Sequence, residues 1–332
     1  MNNNRVSFLL CACALLSARA AVAHHSHANI DPEDIQRHTG VVMEFGWTMP
    51  HVYIKAMAPN PNGELVEYSI ELLHPPGMAQ RGWSRDSFKP GDRITWEGPA
   101  DRDPNRYYSG LRWAETGSGE RLSMERSELP TEPSTDFSGI WVRSLGGARP
   151  DYQPPADWPY TDFAMPLIAN FNEDQNPQLD CQNPGPPKST LLPYPIRISR
   201  PDDQTIVMDY ELREDPRIIT FDATREPGDP SKLGYSVARL DGTALVIETT
   251  NFAADRWGIQ TGVDSSEQKH LVERLTFEPD GLAINIEMTV TDPVYLEGPV
   301  VVNRRYVKVP DRELIVVECT RESARLFLEG GL

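Results

Sequence analysis

Alternating apolar and polar positions predict short β-strands through most of this chain. Alternation with a period of two is typical of strands that bury one face. In the first part, the predicted strands are GVVMEFGW (40–47), HVYIKAM (51–57), ELVEYSIEL (64–72), DRITWEG (92–98) and SGLRWAE (109–115). A short helix opened by proline is predicted at 75–83, between the third and fourth strands. Five strands with one helix after the third is the order of an OB-like fold, so the first part is predicted to be a small OB-like barrel.

The second part contains a longer run of predicted strands, which follows a proline-rich stretch at 150–195. Turns such as PDDQ, LDGT, EPDG and VPDR separate several of them, and short turns rich in Asp and Gly join antiparallel neighbours. The predicted strands are IRISRP, TIVMDYELR, RIITFDAT, GYSVARL, ALVIETTNF, HLVERLTFE, LAINIEMTV, VVVNRRYVKV and ELIVVECT. We therefore expect an all-β protein whose second part is a larger antiparallel up-and-down, lipocalin-like barrel or a curved sheet.

The two parts meet at ELPTEPSTD (128–136), where prolines and polar residues interrupt the apolar periodicity. The chain is also long enough for two domains. The expected layout is a signal peptide at 1–23, an OB-like domain at 24–127, a linker at 128–135 and a lipocalin-like domain at 136–332.

The first 23 residues have the three-part pattern of a secretory signal peptide. Arg5 is followed by an apolar run at 6–16 and by small residues that end at Ala23. A transmembrane anchor, the alternative, needs about 20 apolar residues, and this run is shorter. We expect cleavage after Ala23, a mature chain that begins at His24 without a membrane span, and a periplasmic or secreted protein.

The net charge of −17 makes nucleic acid a poor partner. Binding to a phosphate backbone depends on Lys and Arg side chains that displace counterions, and an acidic surface repels that backbone.

Cys181 and Cys319 are the two cysteines that remain after removal of the predicted signal. Disulfides persist in an oxidising compartment, so we expect the two to be bridged. The alternative is a pair of buried free thiols.

The stretch AVAHHSHANID (21–31) makes a copper site a hypothesis. A terminal His24 would offer its amine and its imidazole, and His51 is the preferred third nitrogen ligand, with His25 and His27 as competitors. Nitrogen donors bind Cu(II) more tightly than the other divalent first-row metals. Two alternatives stay open: a solvated cluster that binds metal only weakly, and no metal role.

A second hypothesis places a small-molecule site inside the larger barrel. In KHLVERL (269–275), His270 and Arg274 share one face of the strand. If they point inward together with Tyr235 and Asn251, they form a polar patch in a cavity for a hydrophobic small molecule. The alternative puts His270 and Arg274 outside, in water or in ion pairs.

Several stretches resemble an uncharacterised family of exported bacterial proteins. AHHSHANID, GVVMEFGWTMPHVYI and RGWSRDSFKPGDRITWEG carry its His-His-Ser start, its Trp-Thr-x-Pro-His turn and its Lys-Pro-Gly-Asp segment, over roughly 23 to 115. Met49 stands where the family more usually has Asn. The second half is similar to sequences fused to that family, through DFSGIWVR, CQNPGPP, GYSVARLDGTALVIETTNF, HLVERL, TDPVYL and VVECT. The resemblance implies export and a two-part layout, and it assigns no catalytic residue.

Motifs of the common enzyme classes are missing from the mature sequence: it has no GxSxG, HExxH, CxxC, P-loop, GxGxxG or EF-hand loop. Two functional hypotheses follow. The first is an exported binding protein that handles copper through its processed terminus. The second is a lipocalin-like barrel that binds or transforms a hydrophobic small molecule. The sequence assigns no reaction and no protein partner.

Overall fold

A computed structural model describes residues 30–49, 51–124, 131–144, 153–211, 215–310, 313–315 and 319–325. The protein is all-β and contains a small closed barrel of five strands followed by a closed barrel of nine strands. This confirms the predicted fold class. None of the helices in the described part of the chain has the length and apolar character needed to cross a bilayer.

The first barrel is built from the strands at 30–110. Its elements, with two strands that extend it, are β1 (Ile30–Trp47), β2 (Val52–Pro59), β3 (Leu65–Glu71), α1 (Pro75–Ala79), β4 (Arg93–Asp101), β5 (Tyr108–Gly110), β6 (Trp113–Thr116) and β7 (Arg121–Ser123). The order β1-β2-β3-β5-β4 closes through pairing of β1 with β4. The helix lies between β3 and β4 and begins with proline, as predicted. Fully buried Ile54, Met78 and Trp96 form part of the core.

One predicted strand of the first part is divided in the structure. The segment 109–115 turns at Leu111, so that β5 pairs in parallel with β3 while β6 pairs antiparallel with β4. The division lets one stretch of sequence complete the barrel and also extend its sheet.

Nine of the remaining strands form the second barrel, and the other two form a separate hairpin. The strands are β8 (Gly139–Arg143), β9 (Ile196–Ser199), β10 (Thr205–Tyr210), β11 (Arg217–Thr220), β12 (Tyr235–Asp241), β13 (Ala244–Thr250), β14 (Asp255–Gln260), β15 (Val263–Ser265), β16 (His270–Phe277), β17 (Ala283–Thr291) and β18 (Val300–Val309). The closed order is β10-β11-β12-β13-β16-β17-β18-β8-β9, and β14 and β15 form a separate hairpin.

Two features depart from the predicted antiparallel meander. The strands β11 and β12 are parallel, because the connection at 221–234 returns the chain to the same end of the barrel. The segment 313–320 was expected to be a strand. Residues 313–315 are not in one, residues 316–318 lie outside the described residues, and Cys319 makes an isolated parallel bridge to Met49. Pairing of β18 with β8 closes the barrel of nine strands.

A buried segment at 184–191, which we call the plug segment, packs into the second barrel. It includes α3 (Lys188–Leu191), and all of its residues are buried. Thr190 bonds to two core tyrosines: its Oγ1 lies 3.1 Å from the Tyr210 hydroxyl, and its carbonyl accepts from Tyr306 at 2.8 Å. Polar bonds to barrel tyrosines therefore fix the position of the segment.

The remaining helical elements lie outside the strands. They are α2 (Met165–Ala169), 3-10 turns at Glu173–Gln175 and Pro177–Asp180, and α4 (Arg321–Arg325). Asp180 accepts from Arg321 and Arg325 of α4 at 2.9 and 3.1 Å. Together with the Met49–Cys319 bridge, these bonds place the 319–325 segment against both barrels.

Candidate functional site

A pocket opens where the turn Pro177–Asp180, the plug segment and β14 meet. Its empty space of about 230 Å³ includes open solvent, and the enclosed part is only about 10 Å³, which is room for about one water-sized group. The pocket therefore suits one small polar group of a ligand, such as a carboxylate, whose remainder lies in solvent. Its lining residues are Asn176, Pro177, Gln178, Gln182, Pro184, Lys188, Lys232, Asp255, Arg256 and Trp257.

An ion pair between Lys232 and Asp255 lies in the pocket wall. The Lys232 Nζ is 2.7 Å from Asp255 Oδ1 and also donates to Gln182 Oε1 at 3.2 Å. The Asp255 side chain is only 3% exposed. Its second oxygen, Oδ2, is buried without a hydrogen-bond donor among the described residues. A buried carboxylate oxygen that lacks a donor costs free energy.

Lys188 and Arg256 bring further positive charge to the pocket. Lys188 is buried and donates to the neutral side chains of Gln260, at 3.1 Å, and Thr261. Arg256 is exposed and donates to the neutral amide oxygen of Gln175. The lining therefore contains three cationic side chains and one carboxylate, although the protein as a whole has a net charge of −17.

The backbone at the pocket is held in an uncommon conformation. Cys181 and Trp257 have positive φ angles of 57° and 56°. Such angles cost free energy in residues other than glycine and persist where surrounding contacts enforce them. Here Asp264 Oδ1 accepts from the Trp257 backbone N–H at 2.9 Å, and the Trp257 ring stacks on Phe171 with centroids 5.4 Å apart. These contacts hold the Trp257 side of the pocket in place.

Lys269 lies behind the pocket and ties the plug segment to β14. Its Nζ donates to the carbonyls of Pro186 and Gly258 at 3.0 and 3.1 Å and lies 4.0 Å from the Phe252 ring centroid. Burial lowers the pKa of Lys269 to about 8, although the negative charges of Asp255 and Asp292 act in the opposite direction. Because its donors are already directed at carbonyls, we assign Lys269 a structural role.

The interior of the second barrel contains an ion pair. Arg217 donates to Glu273 Oε2 at 2.5 Å, to the Thr249 hydroxyl at 2.7 Å and to the Ser236 hydroxyl at 3.1 Å. Glu273 Oε1 is buried without a hydrogen-bond partner in the described part of the chain. The Arg217 charge also contributes to lowering the pKa of Lys269, although burial of that lysine is the larger cause.

For His270 and Arg274 the structure agrees with the alternative, in which they lie outside the barrel in ion pairs, and not with the hypothesis that they point inward. They lie on the outer face of β16 and form ion pairs with Glu248 and Asp241, each at 2.7 Å. Leu271, Glu273 and Leu275 point inward instead. Burial of Leu271 and Leu275 removes apolar surface from water, whereas the exposed pairs of His270 and Arg274 keep their hydration. The face with the two leucines is therefore the buried one.

Tyr235 and Asn251 support the connection at 221–234. Tyr235 occupies an outward position of β12, and its hydroxyl donates to the Arg225 carbonyl at 2.6 Å. Asn251 Nδ2 donates to the Gly228 carbonyl at 2.8 Å. The four predicted side chains are therefore not gathered in an interior patch.

His51, the expected third copper ligand, lies at the end of the Trp-Thr-x-Pro-His turn. Its Nδ1 is 3.1 Å from the Leu72 carbonyl and 3.2 Å from Glu71 Oε1. Burial lowers the pKa of His51, while the bond to Leu72 and the charge of Glu173 raise it. Glu173 belongs to the turn Glu173–Gln175, so a charge from the second part of the chain acts on His51.

The other predicted metal ligands fall on residues that the structure does not describe. His24, His25 and His27, and the predicted signal peptide, all lie before residue 30. Within the described ranges, no three His, Cys, Asp or Glu side chains are grouped in a way that could hold a metal ion.

The predicted disulfide between Cys181 and Cys319 is confirmed. The two Cα atoms are 5.8 Å apart, and 138 positions separate them in sequence. Cys181 lies between the pocket residues Gln178 and Gln182, so the bridge anchors the pocket wall to the segment that contacts Met49.

Sequence reasoning did not identify the pocket residues. Lys188, Lys232 and Asp255 come from three separate segments and follow no motif. The available signal was CQNPGPPK (181–188), in which a lysine ends a proline-rich run that cannot form a strand.

Comparisons with known proteins add a family match for the first part only. Residues 12–111 match a family of unknown function, DUF6152. This range contains the first barrel and agrees with a resemblance to an uncharacterised family. No curated protein and no solved structure matches the chain.

Proposed function

We propose that this protein is an exported binding protein that takes a small carboxylate in the pocket beside the plug segment. The observation that carries the proposal is the charge of the lining, which contains Lys188, Lys232 and Arg256 together with one carboxylate, Asp255. A ligand carboxylate would accept from Arg256, which is exposed at the pocket. Hydrogen bonds between ionised partners are the stronger ones in proteins.

Charge and size together favour a small anion over the hydrophobic molecule that barrel architecture alone suggests. Seven of the ten lining residues are polar or charged, although most of the surface that they present to the pocket is apolar. Apolar side chains, including Trp141, Ile247 and Leu271, pack the second-barrel core. A local positive charge on an acidic protein also attracts small anions over short distances while the rest of the surface repels them.

Export is part of the proposal, and the disulfide supports it. Structural disulfides are stable in oxidising compartments and rare in the cytosol. The succession of a basic start, an apolar run and small residues at 1–23 supports it independently. Intact-mass measurement of the secreted protein tests this part: a mature chain that begins at His24 supports export by cleavage, and retention of 1–23 contradicts it.

Isothermal titration calorimetry with propanoate tests binding in the pocket. We expect Arg256→Gln to weaken binding at least fivefold, because one of the cations that contact the carboxylate is lost. Arg239→Gln is the matched control, since Arg239 is exposed on β12 and is not among the residues that line the pocket. Absence of propanoate binding to the wild-type protein, or equal weakening by both variants, contradicts the proposal.

Copper binding through the mature N-terminus is a second candidate function. The observation that favours it is the bond between His51 Nδ1 and the Leu72 carbonyl. A carbonyl that accepts from one imidazole nitrogen fixes the ring and directs the other nitrogen towards a metal, as is common for histidine ligands. We propose Cu(II) bound by the amine and imidazole of His24 together with His51.

A one-residue extension before His24 separates this candidate from adventitious binding. It moves the amine away from the imidazole with which it would chelate, and we expect at least tenfold weaker Cu(II) binding, about 1.4 kcal/mol. His51→Ala should weaken binding to a similar extent. Equal copper affinity of the native and extended proteins would eliminate the site.

A further inference from the structure

We propose that the helix α2 is a docking surface for a basic amphipathic helix of another polypeptide. Phe163, Met165 and Leu167 are exposed at 60, 53 and 45%. Nine large apolar side chains are exposed in the described part of the chain, and these three lie within five consecutive positions at the start of α2. None of the three lines the pocket beside the plug segment. Such a concentration of exposed apolar side chains marks an interaction surface, whereas scattered ones need no explanation.

Contacts on the opposite side hold α2 in place. Ala164, at the N-terminal end of the helix, is fully buried, and Ile168 packs against the core of the second barrel. Side chains four positions apart lie on one face of a helix. The hydroxyl of Thr161 donates to the Val294 carbonyl at 2.7 Å and ties the start of the helix to the barrel. The exposed apolar side chains are therefore fixed on the outer side of α2, and a partner meets a preorganised surface.

The chain around α2 is acidic. Between 153 and 187 the sequence has no lysine or arginine and five carboxylates, which are Asp157, Asp162, Glu173, Asp174 and Asp180. Asp157 and Asp162 are exposed, and neither has an ion-pair partner in the described part of the chain. A ligand that matches this surface has an apolar face bordered by lysine or arginine, because charges across a specific interface are complementary. A basic amphipathic helix has this arrangement, and docking of an apolar helical face is a common mode of peptide recognition.

Two other occupants fit the charge of this surface less well. Membranes of anionic phospholipid attract basic segments and repel carboxylates. A second copy of this chain, docked through α2 of both copies, would bring the two Asp162 side chains together across a two-fold axis. Like charges at an interface cost free energy. The observations therefore favour a basic polypeptide.

Fluorescence anisotropy with labelled peptides of about four helical turns tests the proposal on the full chain. The probe is a peptide of leucine and lysine in which the leucines form one helical face. We expect it to bind about tenfold more tightly than a peptide in which glutamate replaces every lysine, and than one in which serine replaces every leucine. Absence of binding by the leucine–lysine peptide, or equal binding of the serine peptide, overturns the proposal, because no apolar docking surface is then in use.

Paired variants assign the binding to α2. Phe163→Ser/Leu167→Ser should weaken binding of the leucine–lysine peptide about fivefold, since apolar contact is lost. Ile218→Ser/Leu240→Ser is the matched control, because both side chains are exposed, at 47 and 61%, on β11 and β12. All four side chains are exposed, so both variants should keep the circular dichroism spectrum of the wild type. Equal affinity of the two variants for the peptide overturns the proposal.

Two further measurements identify the other occupants. Co-sedimentation with vesicles of phosphatidylcholine and phosphatidylglycerol detects docking on a membrane, and sedimentation velocity detects docking of a second copy. We expect the wild type and Phe163→Ser/Leu167→Ser to behave alike in both measurements. Vesicle binding or a dimer that this variant loses would overturn the proposal in favour of the membrane or of the second copy.

Discussion

Arg217 and Glu273 form an ion pair in the interior of the second barrel, with Nη2 2.5 Å from Oε2 and both side chains at most 1% exposed. The pair is part of a polar cluster that includes Ser236 and Thr249. Desolvation of a lone charge costs several kcal/mol. The attraction between Arg217 and Glu273 must therefore offset the desolvation of both charges. The barrel therefore depends on both residues together.

Removal of one member of this pair should destabilise the protein strongly. We expect Glu273→Leu to lower the free energy of unfolding by about 3–5 kcal/mol, because Arg217 would remain charged and buried. The double variant Arg217→Met/Glu273→Leu should lose less than Glu273→Leu alone. Urea unfolding followed by circular dichroism measures both. A double variant that is less stable than Glu273→Leu would contradict this view of the pair.

The outer face of the same strand should tolerate substitution. His270→Ala and Arg274→Ala each remove one exposed ion pair, and such pairs contribute about 0–1 kcal/mol. The same unfolding experiment applies. A loss above about 2 kcal/mol for either variant would mean that these side chains have a role in the barrel that their exposed contacts do not explain.

The sequence predicted that side chains alternate between the two faces of β16, but it did not predict which face lies inside the barrel. Leu271 and Leu275 share a face with Glu273, and His270 shares one with Arg274. Both faces mix charged and apolar residues, so the alternation alone did not indicate which face is interior. The partner of Glu273, Arg217, is 56 positions away in sequence, so the satisfaction of that charge could not be seen before the fold was known.

Fold class and strand order followed more directly from the sequence. Proline at the start of α1 and turns such as LDGT marked element boundaries, because these residues have restricted or special backbone geometry. Two features depend on which strand edges remain unpaired when the barrel closes. They are the parallel pairing of β11 with β12 and the isolated bridge at Cys319. That information is a property of the closed barrel and not of any local segment.

Lys269 should make stability depend on pH in the alkaline range. Burial lowers its pKa from the ordinary lysine value of 10.5 to about 8, so between these values the unfolded chain binds more protons than the native protein. Stability from this group therefore rises with pH in that window, by about 1–2 kcal/mol between roughly pH 7.5 and 9.5. Lys269→Met should remove this contribution. Identical changes in the free energy of unfolding for the wild type and Lys269→Met over this range would contradict the prediction.

The Cys181–Cys319 bridge should support both stability and the pocket. We expect the variant Cys181→Ser/Cys319→Ser to unfold with a free energy roughly 2–4 kcal/mol lower than that of the wild type. Propanoate affinity should also fall, because Cys181 lies between the lining residues Gln178 and Gln182. Chemical reduction of the wild-type protein is the control and should produce the same loss. Unchanged denaturation midpoints in both cases would refute the structural role of the bridge.

The most direct test of the pocket is NMR of the lysine side chains in protein labelled with ¹⁵N-lysine, titrated with propanoate. Lys188 and Lys232 line the pocket, whereas Lys55 lies on β2 of the first barrel and pairs with Glu44. The account predicts that the Nζ resonances of Lys188 and Lys232 shift and saturate with one common dissociation constant, while the resonance of Lys55 does not move. Unshifted Lys188 and Lys232 resonances at the highest propanoate concentration, or an equal shift at Lys55, would contradict the claim that this pocket binds small carboxylates.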